Sequence, residues 1–318
     1  MAKALNNCKV LITGGFGYLG ARIGENLATE GYDVYLGSRN PNSYNISSIC
    51  SQINTNWEDP DLAFCKDFDL IVHAAGMNAQ SCLDNPEKAL KINGKLSEKL
   101  IKKAAQYGCK RFFFLSTVHV YKSPLIGDFD ESTQTLNNHP YASSQVYGEQ
   151  ALIKAIVDKK IKGAVLRLSN CFGPPLTDSA ECWNLVLNDF IKSAYLNGKI
   201  LINGNYLSKR DFLPITELNR ILIKIFEYQD IPRDIINIST GSSRTLMEVA
   251  IKIRDEFSKI KEISIELANE VKSQADSALT IKNSSLEIMN IYPLDELEFE
   301  INQMINYLDL ASHIEQKF

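Results

Sequence analysis

Short apolar runs alternate with amphipathic stretches through the first half of the chain. Residues 9–13 predict a buried strand, and residues 18–30 predict a helix because their apolar positions recur at helical spacing. The alternation continues with predicted strands at residues 33–36, 68–73, 111–116 and 164–168 and predicted helices at residues 86–107 and 141–159. Strands separated by helices favour a doubly wound parallel sheet, and the nearly continuous apolar strands favour a sheet covered on both faces.

The rhythm changes after Asn170, where the segment Cys-Phe-Gly-Pro-Pro breaks the alternation. Later elements are predicted as helices at residues 181–196, 215–228, 245–260 and 297–308 and as strands at residues 200–202 and 235–238. No long linker separates the two halves, so the second lobe is interleaved with the first. We therefore predict an α/β protein with a sheet domain over residues 1–170, to which residues 211–240 return, and a smaller, mostly C-terminal lobe from residues 171–210 and 241–318.

A glycine-rich turn joins the first predicted strand to the first predicted helix. Gly14, Gly17 and Gly20 have the spacing GxxGxxG, and Tyr18 and Leu19 lie inside it. Glycine allows a tight turn, close approach of the backbone to a pyrophosphate and close helix–strand packing, while the helix N-terminus offers free N–H groups to the anion. The turn therefore predicts a dinucleotide site, with a ligand-free turn as the alternative.

The end of the second strand bears on which dinucleotide is bound. An acidic residue there would accept hydrogen bonds from the adenosine ribose, but this chain has Gly37, Ser38 and Arg39. Arg39 can pair with a 2′-phosphate and Ser38 can hydrogen-bond to it. We therefore favour NADP over NAD, although a single arginine does not exclude NAD.

Composition excludes several classes of function. The chain has 318 residues, of which 45% are hydrophobic and 23% charged, and the formal net charge is −4. This balance gives no sign of a nucleic-acid or anionic-membrane partner, and no apolar run approaches the roughly 20 residues of a membrane-spanning helix. The seven cysteines include no CxxC pair and no Cys–His cluster, so we predict no metal site and reduced thiols in a cytoplasmic protein.

Several further motifs follow the glycine turn in order. They are Val72-His73-Ala74-Ala75-Gly76, Asn93, Leu115-Ser116-Thr117-Val118-His119-Val120-Tyr121, Tyr141-Ala142-Ser143-Ser144-Gln145, Leu166-Arg167-Leu168-Ser169-Asn170 and Arg210-Asp211-Phe212-Leu213-Pro214-Ile215. From residue 9 to about residue 260 this ordered set resembles the extended short-chain dehydrogenase/reductase family. Its members include nucleotide-sugar epimerases, dehydratases and keto-reductases.

The resemblance implies a Rossmann-type fold and hydride transfer between a nicotinamide and a carbon of a nucleoside-diphosphate sugar, at C4. It implies cofactor contacts from the glycine turn and from Ala74, Ala75, Gly76, Asn93, Tyr141 and Gln145. It implies Tyr141 as the acid/base, with Thr117 beside it on the reacting sugar oxygen. It assigns the sugar and diphosphate to Thr117, His119, Asn170 and Arg210.

One position departs from the family. The YxxxK lysine, whose charge lowers the pKa of the tyrosine, is replaced by Gln145, which carries no charge. The enzyme then works with less help, using the charge of the oxidised nicotinamide, or another cation such as Lys122 approaches, or the protein binds dinucleotide and sugar with little catalysis. The last reading makes it a binding protein instead of an enzyme.

The reaction type stays open among keto-reduction, sugar oxidation and epimerisation. Dehydratases of the family carry an Asp–Glu pair after the Ser/Thr, where this chain has Val118 and His119, and this argues against dehydration. A second phosphate-binding arginine is also missing, with Lys272 at the comparable stretch. The resemblance further implies a homodimer formed through the helices at residues 86–107 and 141–159, and a role in polysaccharide biosynthesis.

Overall fold

The computed structural model describes residues 8–39, 49–176, 180–268 and 278–315. The strands in these residues are β1 (Lys9–Thr13), β2 (Asp33–Ser38), β3 (Ser51–Asn54), β4 (Leu70–His73), β5 (Arg111–Thr117), β6 (Gly127–Phe129), β7 (Lys162–Leu168), β8 (Asn170–Phe172), β9 (Lys199–Ile202), β10 (Lys209–Pro214), β11 (Ile235–Ile238), β12 (Ser243–Thr245), β13 (Ser264–Leu267) and β14 (Leu279–Ile281). The helices are α1 (Tyr18–Thr29), α2 (Ala79–Asp84), α3 (Pro86–Ala89), α4 (Ser97–Gln106), α5 (Pro140–Val157), α6 (Val186–Asn197), α7 (Ile215–Glu227), α8 (Leu246–Phe257), α9 (Ser284–Ile288) and α10 (Leu297–Glu315).

Seven parallel strands form the main sheet in the order β3-β2-β1-β4-β5-β7-β11. The chain winds outward in one direction from β1 and then in the other from β4, which is the arrangement of a Rossmann fold and confirms the predicted fold class. In such sheets ligands bind at the carboxyl ends of the strands, where the winding direction reverses. The ends of β1, β4 and β5 therefore locate the expected site.

Apolar side chains cover both faces of this sheet, as the continuous apolar strands predict. On one face α1 and α7 pack over residues such as Ile12, Val72 and Leu166. On the other face α4 and α5 pack over residues such as Leu11 and Phe112. Helices on both faces are what a parallel sheet needs to bury its apolar strands.

The long helix predicted over residues 86–107 is three consecutive segments. After α3 the chain makes a π-helical stretch at Leu90–Leu96 and then continues as α4. Such wide turns are rare and occur mostly at functional sites. Here the wide turn contains the buried Asn93, one of the predicted cofactor residues.

A second core lies among α6, α8 and α10, with β9 beside them. The helix predicted from residue 181 begins only at Val186 and ends at Gly198, whose φ of +67° suits glycine. Three small sheets accompany this part of the molecule, in the orders β12-β10-β8, β13-β9 and β14-β6. Most of these strands have three or four residues, too few to show a reliable apolar alternation.

The division of the chain into two domains stays a prediction. The returning strand β11 belongs to the main sheet and α7 packs on its core. Farther along, Leu286, Met289 and Ile291 also lie in that core. The C-terminal part of the chain therefore contributes to both cores.

A polar contact joins the two cores beside the glycine turn. The Tyr18 hydroxyl donates to the carbonyl oxygen of Gly173 at 2.8 Å, and the Asn188 amide donates to the same carbonyl at 3.2 Å. A Cβ on Gly173 would lie 2.3 Å from Glu300 Oε1, so only glycine fits here. Within the described ranges no helix is long and apolar enough to cross a membrane.

Candidate active site

The glycine turn leaves no room for larger side chains. Gly14 has φ of +68°, and a Cβ on it would lie 2.8 Å from Cα of Ala75. A Cβ on Gly20 would lie 2.2 Å from the carbonyl oxygen of Gly14. Gly17 is the N-cap of α1 and supplies no side-chain cap, so the first N–H groups of the helix are open to an anion. The backbone of this turn fits a pyrophosphate, and the assignment of the turn to the cofactor stays a prediction.

The side chain of the neighbouring Tyr18 makes a contact that its position in the turn did not predict. Its hydroxyl points to Gly173 across the junction, and burial raises the pKa of Tyr18 well above the ordinary value. Tyr18 and Leu19 contribute backbone atoms to the turn. The hydrogen bond from the Tyr18 hydroxyl to Gly173 links the turn to the second core. The assignment of both residues to the cofactor stays a prediction.

Ser38 ends β2 and Arg39 follows it as an exposed residue. The strand end lies beside the glycine turn, because the Gly15 N–H donates to the carbonyl of Gly37 at 3.1 Å. This is where an adenosine ribose would lie in a site of this fold.

At the end of β4, His73 has a structural role. Its two ring nitrogens lie 2.6 Å from Thr13 Oγ1 and 2.8 Å from Ser97 Oγ, which ties β1 and α4 to β4. Burial lowers the pKa of His73 to about 3, so the ring is neutral. The next residues, Ala74 and Ala75, pass directly against the glycine turn.

Three predicted cofactor residues meet at one point. A Cβ on Gly76 would lie 3.2 Å from Asn93 Oδ1 and 3.9 Å from Gln145 Nε2. Asn93 is held there because its Oδ1 accepts from the Met77 N–H at 2.7 Å and its Nδ2 donates to Ser144 Oγ at 3.2 Å. The wide turn of Leu90–Leu96 therefore brings Asn93 against α5.

Gln145 carries an unsatisfied polar atom. The side chain is 6% exposed, and its Oε1 is buried without a hydrogen-bond partner among the described residues. Unpaired buried acceptors are rare because they lose their water without replacement. A hydroxyl of a nicotinamide ribose is a donor of the right kind for this atom, so the residues present fit a dinucleotide.

Tyr141 lies in the first turn of α5. The His139 ring caps this helix, its Nδ1 accepting from the Tyr141 N–H at 3.2 Å. Burial raises the pKa of Tyr141 to about 12, with the thiols of Cys82 and Cys171 adding to the rise and a hydrogen bond with Gln145 opposing it. No cation is among these causes, so the phenol holds its proton at neutral pH.

Thr117 ends β5, one of the strands whose carboxyl ends locate the expected site. Its Oγ1 accepts from the His119 N–H at 3.2 Å, and in the described residues its own hydroxyl proton has no acceptor. The oxygen is therefore fixed while its proton is available to a ligand. Lys122, the alternative cation, is exposed and is not among the charges that act on Tyr141.

The candidate substrate residues form a second group. The Asn170 amide donates to the Asp211 carbonyl at 2.8 Å, and its Oδ1 lies 3.1 Å from His119 Nε2. The Arg210 charge also acts on the His119 ring. Among the described residues Arg210 makes no ion pair, because the Asp211 carboxylate instead accepts from Ser169 and Thr240. Arg210 is thus a half-buried cation open to an anion.

The motifs did not reveal two residues that position the candidate site. His139 is the cap of α5, for which the Pro140 that follows it is the only sequence signal. Ser144 accepts from Asn93 and donates to the Tyr141 carbonyl at 2.8 Å, a contact that spacing alone does not reveal.

Lys272 lies outside the described residues. Within those residues, no cluster of His, Cys, Asp and Glu side chains could hold a metal ion.

Two curated proteins resemble this chain over most of its length. A dTDP-D-glucose 4,6-dehydratase of Mus musculus is 24% identical over 257 residues, which cover 76% of this chain and 71% of that protein. The dTDP-6-deoxy-L-talose 4-dehydrogenase (NAD(P)(+)) of Kitasatospora kifunensis is 26% identical over 260 residues, 77% of this chain and 78% of that protein.

A solved structure shares the fold. The UDP-N-acetylglucosamine 4-epimerase from Methanobrevibacter ruminantium M1, in complex with UDP-N-acetylmuramic acid, superimposes with a TM-score of 0.83 at 24% identity and covers 96% of this chain and 99% of that chain. The sequence profile of the NAD dependent epimerase/dehydratase family matches residues 10–239. The predicted enzyme class, an NAD(P)-dependent oxidoreductase or epimerase of the extended short-chain dehydrogenase/reductase type, is thereby confirmed. The chain belongs to the NAD-dependent epimerase/dehydratase family.

Proposed function

We propose that this protein reduces a keto group, at C4 of a nucleoside-diphosphate sugar, with a reduced nicotinamide dinucleotide. Bound NAD(P)H supplies the hydride. The single observation that supports reduction over oxidation is that Tyr141 lies beside the neutral Gln145. The family pattern that the sequence resembles has a lysine at this position. A phenol that keeps its proton is ready to act as an acid, which is what reduction of a ketone requires.

The hydroxyl groups support the same direction. Thr117 and Tyr141 both carry a proton, and two donors on one oxygen stabilise the negative charge that develops there during reduction. Oxidation of a hydroxyl needs a base instead. At pH 7 a phenol with a pKa of about 12 is ionised to only about one part in 100,000.

The substrate is proposed from the second group of residues and from the names of the relatives. Arg210 offers forked donors to a diphosphate, and incomplete solvation lowers the pKa of its guanidinium. The curated relatives and the solved structure are named for UDP- and dTDP-linked sugars. We propose that Asn170 positions the sugar next to Arg210.

We propose NADPH as the preferred cofactor. Arg39 and Ser38 lie where the adenosine ribose is expected, and no acidic residue ends β2. The Kitasatospora kifunensis relative is named for both NAD and NADP. Titration of the protein with NADPH and NADH, followed by nicotinamide fluorescence, tests the preference, and Arg39→Ala should weaken NADPH binding alone.

The experiment that tests the function compares the two directions of hydride transfer. A UDP-linked 4-ketohexose with NADPH should turn over at pH 7, followed by loss of nicotinamide absorbance. UDP-glucose with NADP⁺ should react slowly at pH 7 and about tenfold faster for each added pH unit, because the tyrosinate fraction rises with pH. Tyr141→Phe should slow reduction by about 100- to 10,000-fold. Oxidation that is fast at pH 7 and independent of pH would contradict the proposal.

The second candidate is a binding protein with little catalysis, which Gln145 also favours. Tight binding of NADPH and of UDP-glucose, without hydride transfer from either direction, would establish it. Thr117, Tyr141 and Arg210 favour the enzyme, because they form the set that hydride transfer on a nucleotide sugar uses.

The homodimer also stays a proposal. The groove between α4 and α5, where a partner would pack, is lined mainly by charged side chains, including Glu98, Lys102 and Lys154. A dimer formed there would depend on ion pairs and should dissociate in high salt, which light scattering can measure. A cytoplasmic location and a role in polysaccharide biosynthesis are further proposals that rest on the resemblance.

A further inference from the structure

Glu300 is a buried carboxyl group at the junction of the two cores, and the proposed reaction does not use it. It lies on α10 in the second core and is 0% exposed. Its Oε2 accepts from the Thr216 N–H at 3.1 Å, in the first turn of α7. Because α7 packs on the main sheet, this hydrogen bond joins the second core to the first.

The same carboxyl group fills the space beside Gly173. A Cβ on Gly173 would lie 2.3 Å from Oε1 of Glu300 and 3.0 Å from its carboxyl carbon. The Gly173 N–H donates to Asn188 Oδ1 at 3.2 Å, and the Gly173 carbonyl accepts from the Tyr18 hydroxyl at 2.8 Å. Glu300 therefore lies against the residue to which Tyr18 is hydrogen-bonded.

Helix α1 connects this contact to the glycine turn. Tyr18 is the first residue of α1, and Arg22 lies one helical turn later. Burial is the largest cause that raises the pKa of Tyr18, and the negative charge of Glu300 adds to the rise. Arg22 is also close enough for its charge to act on Glu300. The start of α1, whose first N–H groups are open to an anion, therefore meets Glu300 at the junction.

The contacts of Glu300 depend on its shape and its acceptor oxygen. Burial raises the pKa of Glu300, while the Thr216 hydrogen bond and the Arg22 charge oppose this rise. Burial thus favours the neutral carboxyl group, which has the shape and the acceptor oxygen of a glutamine side chain. Glutamine should therefore replace it, whereas leucine has a similar volume and offers no acceptor to Thr216.

We propose that Glu300 is a positioning residue for the dinucleotide. Through Gly173 it holds the Tyr18 hydroxyl, and with it the glycine turn, in the place where the turn can bind a pyrophosphate. Because only the aligned turn binds, the apparent affinity for the dinucleotide falls in proportion to the aligned fraction. This inference rests on the proposed function, because it needs a dinucleotide in the turn.

Three variants of the full-length protein separate positioning from general stability. Glu300→Leu removes both oxygens, and Glu300→Gln keeps the acceptor. The matched control is Met304→Ala, one turn later on α10, where a fully buried apolar side chain packs in the second core. This control lowers stability by opening a cavity but removes no polar contact of the junction.

The first experiment needs no ligand. Hydrogen–deuterium exchange followed by mass spectrometry measures how often the start of α1 opens. We expect Glu300→Leu to speed exchange in peptides that cover residues 14–29, whereas Glu300→Gln and Met304→Ala leave it near the wild-type rate. Unchanged exchange in Glu300→Leu, or an equal increase in Met304→Ala, would overturn the proposal.

The second experiment measures NADPH affinity by nicotinamide fluorescence. Glu300→Leu should bind NADPH about five- to tenfold more weakly than wild type, as expected when contacts comparable to one hydrogen bond are lost. Glu300→Gln and Met304→Ala should stay within about twofold of wild type. A loss in Glu300→Gln as large as that in Glu300→Leu would overturn the proposal, and so would full affinity in Glu300→Leu.

Tyr18→Phe tests the route through Gly173 and removes only one hydroxyl, so it serves even if Glu300→Leu does not fold. Tyr18→Phe should also weaken NADPH binding, and the double variant should be no weaker than the weaker single variant, because both act through one contact. Full affinity in Tyr18→Phe, or additive losses in the double variant, would overturn the proposal. If wild type binds neither NADPH nor NADH, the proposed function fails, whereas the exchange rates still decide whether Glu300 positions the turn.

Discussion

Two consecutive turns of α5 each carry a buried polar side chain, and the two side chains differ in their hydrogen-bond partners. Gln145 and Glu149 lie four residues apart on this helix, and their side chains are 6% and 1% exposed. Glu149 accepts from Arg167 Nε at 3.0 Å and from Ser116 Oγ at 2.5 Å, so its charge is fully compensated. Gln145 has no charge, and its Oε1 has no partner among the described residues. The turn with Glu149 is complete for its carboxylate, although Arg167 NH1 has no partner among these residues, whereas the turn with Gln145 leaves its amide oxygen open to a ligand.

Arg167 is held by Glu149 and does not supply the charge of the missing lysine, since it is not among the groups that shift the pKa of Tyr141. Arg167 donates to Glu149 through Nε and NH2, and its guanidinium carbon lies 4.9 Å from the centre of the Tyr121 ring. A buried cation that gave up these partners would lose several kcal/mol, on the order of 3–5. Tyr141 is therefore left with the neutral amide of Gln145. The complete turn stabilises the fold, and the incomplete turn is where binding and chemistry occur.

The largest effect is expected from breaking the complete turn. Glu149→Gln leaves Arg167 buried without its counter-charge and should lower the free energy of unfolding by about 3–5 kcal/mol. Urea unfolding followed by circular dichroism measures the loss. The matched control is Glu298→Gln, an exposed carboxylate paired with Lys252, which should cost less than about 1 kcal/mol. Similar losses in the two variants would refute the contrast.

Adding a positive charge at position 145 should change the pH dependence of sugar oxidation more than it changes the stability of the fold. Gln145→Lys places a positive charge near Tyr141, which favours the phenolate and lowers the pKa of Tyr141 by about 1–3 units. A lower pKa makes the base available at lower pH, so the rate of sugar oxidation at pH 7 should rise by about tenfold or more. The pH profile of oxidation is the measurement, and Gln145→Met, which removes the amide without adding charge, is the control. A profile that does not move in Gln145→Lys would show that position 145 does not govern Tyr141.

The smallest effect on stability is expected from removing the cap at the start of α5. His139→Ala removes the cap from the Tyr141 N–H and should cost about 1 kcal/mol in the free energy of unfolding. His139→Ser restores an acceptor and should recover most of it. Thermal unfolding measures both, and kcat for reduction should follow the same order because the cap positions Tyr141. Equal stability of the two variants would show that His139 is dispensable as a cap.

Local pattern was sufficient for most strands of the main sheet and for the glycine turn. Lys9–Thr13 and Ile235–Ile238 are strands with the predicted bounds, because buried parallel strands are continuous apolar runs. The strand β3 was missed because three of its four residues are exposed and its apolar content is small. The wide turn at Leu90–Leu96 was missed because it keeps the apolar spacing of an ordinary helix closely enough to be taken for one.

The candidate site likewise combines residues that short motifs reveal with a contact that only the fold creates. Tyr141, Gln145 and Thr117 could be found because each lies in a short motif whose members are close in sequence. His119 and Asn170 are 51 residues apart. They come together because β5 and β7 are paired with Thr117 opposite Leu168, and each residue lies two positions beyond this pair. No spacing rule predicts such a contact.

The sequence by itself determined the alternation of strands and helices, the glycine turn and the loss of a charge at position 145, because these depend on residue types in local order. Only the tertiary structure decided the state of each polar group. Among the described residues it left Gln145 Oε1 without a partner, paired Arg167 with Glu149 and placed Nε2 of His119 next to Asn170. The physical reason is that the cost of a buried polar group depends on which distant groups surround it, and folding chooses those neighbours.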